Sequence, residues 1–104
     1  MKVENLKLKY SYRAMMLWEQ VTGKPYGSEN TFTSMVVLLW CIVEANNPNT
    51  ISLENFFNWM DDQPEEFDKL CKWIANEKQR QAMLADEEEE PAEQKSNKKK
   101  VKQK

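Results

Sequence analysis

Histidine is absent from the 104 residues, which removes the side chain that most often serves as a general base or zinc ligand. The two cysteines, Cys41 and Cys71, have no histidine to activate them and do not stand at metal-ligand spacing. We therefore expect no catalytic residue, no bound metal and no cofactor. Both cysteines lie among apolar residues, which indicates free thiols in a reducing cytosol.

Long apolar segments are missing as well. Residues 1–5 contain no signal-peptide core. The longest apolar run, residues 35–43, is far shorter than the roughly 20 residues that span a bilayer. The sequence therefore predicts a cytoplasmic protein without a membrane partner.

Charge divides the chain into two predicted parts. Residues 86–104 hold six acidic residues followed by six lysines, a composition typical of a disordered tail. Residues 1–85 carry the whole net charge of -2 and all the aromatic residues, as expected of a single folded domain. A slightly acidic domain lacks the basic surface that binds a phosphate backbone, which argues against nucleic acid as a partner.

Hydrophobic residues at helical spacing predict a mainly α fold, a compact bundle of about four helices. Ser11 and Ser52 are suited to cap the first and third helices, Gly23 to end the first, and Pro64 to begin the fourth. The predicted helices span residues 11–22, about 31 or 33 to 47, 53–61, and 64 onward.

The N-terminal residues 6–10 show a period of two instead. Leu6, Leu8 and Tyr10 alternate with lysines, which is the pattern of a strand with one apolar face. We therefore expect a short N-terminal strand, paired within the chain or with a second subunit because a lone strand leaves its backbone unbonded.

The centre of the second predicted helix, residues 35–43, is apolar on every side, as in a helix that is buried all round. The other helices of so small a domain can hardly cover every face, so we expect a second subunit to cover part of it. A buried strand is the alternative for this run, but its length and the lack of turn residues before Asn46 favour a helix.

Two patterns resemble ligand sites but have simpler explanations. The acidic residues around the start of the fourth helix offer oxygen ligands for a divalent cation, but capping and the helix dipole account for them. Thr22-Gly23-Lys24 lacks the upstream glycine and the following Ser or Thr of a phosphate loop, so a helix C-terminus is favoured. The acidic residues are Asp61, Asp62, Glu65, Glu66 and Asp68.

Several aromatic and methionine side chains lie off the apolar stripes of their helices. Trp59 and Trp73 are each about 100° from the buried stripe, and Tyr12 and Met16 lie opposite the stripe of the first helix. Such residues are enriched in interfaces, and together with Trp40 they form the predicted partner-binding surface. The alternative is a wide core in which the two off-stripe tryptophans pack at the edges.

Residues 12–24 read YRAMMLWEQVTGK, an aromatic-Arg-Ala start that closes with Glu and then Thr-Gly-Lys. This segment resembles the opening helix of phage and prophage tail assembly chaperones, which a short extended segment also precedes. The apolar residues 35–43, the helix at residues 52–60 and the Pro-Glu-Glu start at residues 64–66 resemble the later helices of that family. The resemblance covers about residues 6–84.

The resemblance implies a chaperone and not an enzyme. Members of the family bind the tape measure protein of long-tailed phages during tail morphogenesis, keep its hydrophobic helices from aggregating, and recruit tail tube subunits. They tend to self-associate as homo-oligomers, act in the cytoplasm of the bacterial host and are absent from the finished virion. The alternative is a small helical regulatory or nucleic-acid-associated adaptor that uses its lysine-rich residues 95–104, and it predicts salt-sensitive binding to DNA or RNA.

Overall fold

Four α-helices follow an N-terminal segment in the computed structural model, in which residues 1–89 are described. The predicted mainly α fold is therefore confirmed. Of the predicted tail, residues 86–89 lie in the last helix, and residues 90–104 lie outside the described part of the chain. A 3₁₀ turn at Val3–Asn5 precedes the helices α1 (Tyr12–Thr22), α2 (Phe32–Asn46), α3 (Leu53–Asp62) and α4 (Pro64–Glu89).

Local side-chain chemistry sets the helix ends at the predicted places. The Ser11 hydroxyl accepts a hydrogen bond from a backbone N–H in the first turn of α1 (3.2 Å), and the Ser52 hydroxyl does the same in α3 (3.1 Å). Pro64 occupies the first position of α4, where a backbone N–H has no helical partner to lose. Gly23 ends α1 with a φ of 73°, a left-handed conformation that glycine adopts without strain.

A reciprocal pair of hydrogen bonds fixes the start of α2, for which the sequence offers Thr31 or Thr33. Thr31 Oγ1 accepts from the Ser34 N–H (3.1 Å), and Ser34 Oγ accepts from the Thr31 N–H (3.0 Å). These bonds satisfy two N–H groups that lack helical partners, so α2 begins directly after Thr31.

The prediction of an N-terminal strand is wrong, because no strand forms anywhere in residues 1–89. Side-chain amides take the place of a partner strand. Asn47 Oδ1 accepts from the Lys7 N–H (3.0 Å) and Asn47 Nδ2 donates to the Lys7 carbonyl (2.8 Å), while Asn46 Nδ2 donates to the Lys9 carbonyl (3.0 Å). The period of two is visible in the burial of residues 6–10, since the apolar members are half-buried and the lysines are exposed.

Two more hydrogen bonds hold the beginning of this N-terminal segment, residues 1–10. The indole N–H of Trp59 on α3 donates to the Met1 carbonyl (2.9 Å), and the Val3 N–H donates to the Glu66 carboxylate on α4 (2.9 Å). The segment is therefore bonded to α3 and α4 near its start and to the end of α2 near its finish.

The core is built around α2, which is buried along most of its length. Within residues 35–43 only Met35 and Trp40 are half-buried, and the other side chains are buried. Because the described residues of one chain cover α2, its burial does not require the second subunit that the sequence led us to expect. Buried side chains from the other elements complete the hydrophobic cluster, among them Val3, Trp18, Phe56 and Leu70.

The chain divides within α4 into two units, Met1–Ile74 and Ala75–Lys104. The first unit contains the N-terminal segment, α1, α2, α3 and the beginning of α4. In the second unit residues 75–89 are helical, and Arg80 forms an ion pair with Glu77 (2.8 Å). Over the described residues, none of the helices combines the length and the apolar character required to cross a membrane.

Candidate protein-binding surface

Two regions of exposed apolar side chains lie on the first unit. Tyr12 and Met16 on α1 are 83% and 57% exposed, while Phe32 at the start of α2 and Phe57 on α3 are 63% and 40% exposed. Contact of large apolar side chains with water is unfavourable, so patches of them mark surfaces that bind other molecules. These four residues therefore define two candidate binding regions.

The first region lies on α1. Tyr12 and Met16 are four residues apart, so they lie about one helical turn from each other on the same face of α1. Beside them an open groove of about 360 Å³ runs between α1 and the end of α2. We call Tyr12, Met16 and this groove the α1 surface. The residues lining the groove include Arg13, Met16, Leu17, Glu44, Ala45 and Pro48.

Trp40 lies next to the α1 surface and not in it. Its indole N–H donates to the Ile51 carbonyl (2.9 Å), which gives the polar edge of the ring a partner within the chain. Trp40 and Ile51 line a separate open groove, and Glu44 lines both this groove and that of the α1 surface. The predicted contact residue Trp40 is thus half-buried in a groove that is separate from the one at Met16.

Trp59 is packed in the core, where only 5% of it is exposed. Its ring centroid lies 5.2 Å from that of Phe56 and 6.2 Å from that of Phe67, and its N–H is bonded to the Met1 carbonyl. Trp73 is half-buried and packs against the same core. Of the five predicted contact residues, the structure brings together Tyr12 and Met16, whereas the burial of Trp59 fits the alternative of a wide core.

Sequence reasoning did not single out Phe32 or Phe57. Spacing alone places Phe57 with Phe56 and Met60 on the apolar stripe of α3, although 40% of Phe57 is exposed to solvent. Phe32 is the first residue of α2 and stands between two threonines at a polar helix end. That polar setting is the sequence signal that Phe32 is exposed.

Tyr26, in the loop between α1 and α2, is also partly exposed but is already held by neighbours. Its backbone N–H donates to the Glu19 carboxylate (2.8 Å), its hydroxyl bonds the Tyr10 hydroxyl, and its ring meets Trp18 edge-on with centroids 6.0 Å apart. Burial, and then the bond to Tyr26, raises the pKa of Tyr10 above its ordinary value. Tyr26 therefore anchors the loop to the N-terminal segment and to α1.

Two of the five acidic residues around the start of α4, Glu66 and Asp68, have structural partners. The Glu66 carboxylate accepts from the Val3 N–H and from Lys69 Nζ, at 2.9 Å each, and these bonds, the backbone one first, lower the pKa of Glu66. Asp68 forms an ion pair with Lys72 (3.0 Å). In the part of the chain that the structure describes, no group of three or more His, Cys, Asp or Glu residues is arranged to hold a metal ion.

The two thiols are not activated. Cys41 is fully buried in α2, and burial, followed by the nearby charge of Glu44, raises the pKa of its thiol to about 12. Burial also raises the pKa of Cys71, whose side chain is half-buried. Because the thiolate is the nucleophilic form, both thiols are weak nucleophiles at neutral pH.

Comparison of the chain with protein-family models, with curated proteins and with solved structures found no match. Function is therefore argued from the exposed apolar surfaces of the first unit.

Proposed function

We propose that this chain is a tail assembly chaperone that binds helices of the tape measure protein of a long-tailed phage or prophage through the α1 surface. The observation that carries the proposal is the exposure of Tyr12 and Met16 side by side on α1. They lie in the helix on which the family resemblance rests. Aromatic and methionine side chains are the residues enriched where proteins meet partners.

The shape of the α1 surface suits an amphipathic helix. Such a helix presents apolar side chains at positions i, i+3, i+4 and i+7, and these enter a hydrophobic groove. Leu17, Ala45 and Pro48 offer apolar walls, while Arg13 and Glu44 place one charge of each sign at the groove. A nucleic acid would require several cations along its phosphates, so a helix with an apolar stripe is the better fit.

A chaperone for a long helical protein has to accept many different helix faces. Met16 supports this role because methionine is flexible and polarizable and can repack against differing partners. A small surface binds each helix weakly, but in self-associated copies the binding of one copy raises the effective concentration of its neighbour at the tape measure protein, which strengthens the overall binding. In this proposal the chain also self-associates and recruits tail tube subunits in the bacterial cytoplasm, and it is absent from the finished virion.

Co-expression with the product of the nearest long, coiled-coil-rich downstream gene tests the proposal. We expect that product to become soluble and to co-elute with several copies of this chain, as measured by light-scattering mass. If the partner stays insoluble and this chain elutes alone, the proposed function is wrong.

A truncation separates the chaperone from the adaptor alternative. Removal of residues 95–104 leaves the α1 surface intact, so the solubilising effect on the partner should persist. Salt-sensitive binding to DNA or RNA that disappears on the same truncation would favour the adaptor.

A further inference from the structure

Residues 6–10, which we call the extended arm, have strand-like backbone without a partner strand among residues 1–89. Leu6 at its start (φ -98°, ψ 145°) and Ser11 just after it (φ -99°, ψ 158°) are extended, and no helix, turn or bend interrupts residues 7–10. Its apolar side chains pack against the core and its lysines are exposed, as in a strand with one face covered. The extended arm is therefore ready to pair with a neighbouring backbone.

One edge of the extended arm is already bonded. The Lys7 N–H and carbonyl both bond the side-chain amide of Asn47, and the Lys9 carbonyl accepts from the Asn46 amide. In extended backbone, the N–H and C=O groups of one residue point to the same edge, and those of the next residue point to the opposite edge. The odd-numbered residues of the arm therefore face the end of α2.

The opposite edge, formed by the even-numbered residues, is unbonded. Neither the N–H nor the carbonyl of Leu8 forms a hydrogen bond with a residue in the described part of the chain, and the same holds for the Leu6 carbonyl and the Tyr10 N–H. Backbone groups that are buried without a partner are rare, so these groups contact water. They have the spacing of a strand edge, which an added strand can bond.

We infer that the extended arm is a docking edge for an extended segment of another protein, which adds to it as a β-strand. The unbonded edge offers donors and acceptors at strand spacing, and an extended peptide backbone supplies the complementary groups. A helix bonds its own N–H and C=O groups internally, so it cannot satisfy this edge. The docking edge thus differs from the α1 surface, whose groove suits a helix.

The lysines set the chemistry of the docked segment. Lys7 and Lys9 are exposed on the outer face of the extended arm, and neither forms an ion pair with a residue that the structure describes. Opposite charges at facing positions of neighbouring strands are favourable, and like charges are unfavourable. The segment therefore carries Asp or Glu on its outer face and apolar side chains on its inner face. A second copy of the arm would place lysines opposite lysines, so it is disfavoured.

Synthetic peptides added to the full chain test the inference, with amide hydrogen exchange as the measurement. The probe is a peptide of about six residues that alternates valine and glutamate. Without peptide, the Leu8 N–H should exchange faster than the Lys7 N–H, which Asn47 holds. With the peptide at about ten times its Kd, exchange at Leu8 should slow about tenfold, because only the unoccupied arm exchanges.

Two control peptides separate strand addition from charge attraction alone. The same peptide with every backbone nitrogen methylated keeps its charges but donates no hydrogen bond. A peptide that alternates valine and lysine keeps the backbone donors but opposes the lysines of the arm with like charge. Neither control should slow exchange at Leu8. Equal protection by the first peptide and its methylated form would overturn the inference, and so would a Leu8 N–H that no peptide protects.

Charge reversal on the arm provides a matched pair of variants. Lys7→Glu with Lys9→Glu keeps the backbone of the arm, and it should reverse the preference from the valine-glutamate peptide to the valine-lysine peptide. Lys72→Glu with Lys78→Glu makes the same change in net charge on α4, and it should keep the wild-type preference. A reversed preference in the α4 variant, or the wild-type preference in the arm variant, would overturn the assignment of the contact to Lys7 and Lys9.

The exposed apolar side chains outside the arm should take no part in this contact. Tyr12→Ser with Met16→Ser alters the α1 surface, and Phe32→Ser with Phe57→Ser alters the second exposed region. Both variants should bind the valine-glutamate peptide as the wild type does, and a loss of binding in either would overturn the docking edge. If the wild-type chain binds the peptide and leaves the tape measure protein insoluble, the proposed function alone is wrong. The reverse result contradicts the docking edge alone.

Discussion

The side-chain amide of Asn47 pairs with the backbone of Lys7 in both directions. Asn47 Nδ2 donates to the Lys7 carbonyl at 2.8 Å, and Asn47 Oδ1 accepts from the Lys7 N–H at 3.0 Å. A neighbouring strand would make the same two bonds to an extended residue. A single side chain at the end of α2 thereby ties the N-terminal segment to the core.

Asn47→Ala should detach residues 6–10 from the end of α2. The variant loses both bonds to Lys7 and a third bond, from Asn47 Nδ2 to the Val43 carbonyl (3.1 Å), which together should lower the free energy of unfolding by about 1–3 kcal/mol. Amide hydrogen exchange at Lys7 should become faster in the variant. Asn58→Ala, on the exposed side of α3, is the control and should leave Lys7 exchange unchanged; equal protection of Lys7 in wild type and Asn47→Ala would contradict the anchoring role.

Trp59→Phe should destabilise the chain by about 1–3 kcal/mol, because it removes the bond to the Met1 carbonyl and leaves unfilled volume in the core. Urea unfolding measures this change. Tyr12→Phe, at an exposed aromatic residue, should have a free energy of unfolding close to that of the wild type. If the two variants are equally stable, Trp59 does not pack as described.

Gly23→Ala should cost about 1 kcal/mol of stability because alanine is strained at the positive φ that ends α1. A Cβ at this position meets no atom within 4 Å, so the cost comes from backbone conformation and not from a clash. Gly23→Asn should lose less, since asparagine tolerates the left-handed region. If Gly23→Ala and Gly23→Asn lower the melting temperature equally in thermal unfolding, backbone strain is not the cause of the loss.

The burial of Cys41 should make stability depend on alkaline pH. The thiol pKa rises from 9.0 to about 12 on folding, so above about pH 9 the unfolded state loses a proton that the folded state keeps. The contribution of the neutral Cys41 thiol to the free energy of unfolding is fully present below pH 9. This contribution falls by about 1.4 kcal/mol for each pH unit between 9 and 12. The difference in unfolding free energy between the wild type and Cys41→Ala should shrink over this range; a difference independent of pH would contradict it.

The helix boundaries can be predicted from the sequence because capping is local chemistry. Ser11, Ser52 and Pro64 affect backbone groups in the first turns of the helices that they begin. Gly23 ends α1 through its own backbone conformation. The partner of the N-terminal segment could not be predicted in this way. Asn47 lies 40 residues from Lys7, and its sequence context is that of an ordinary residue at a helix end.

The candidate surface was only partly predictable for a related reason. A helical period tells which way a side chain points, and it correctly sets Tyr12 and Met16 away from the core. The same rule points Trp59 away from the stripe of α3, but the N-terminal segment lies there and bonds its indole. A periodicity within one helix does not reveal which distant segment covers its other side.

The most direct test of the central claim is the affinity of a labelled helical fragment of the downstream tape measure candidate for two variants of this chain. Tyr12→Ser with Met16→Ser removes the apolar side chains of the α1 surface, and Val21→Ser removes an exposed apolar side chain about 180° from Tyr12 on the same helix. We expect the first variant to bind at least about tenfold more weakly than the wild type, and the second to bind as the wild type does. If the double variant binds with wild-type affinity, the α1 surface is not where the chain holds its partner.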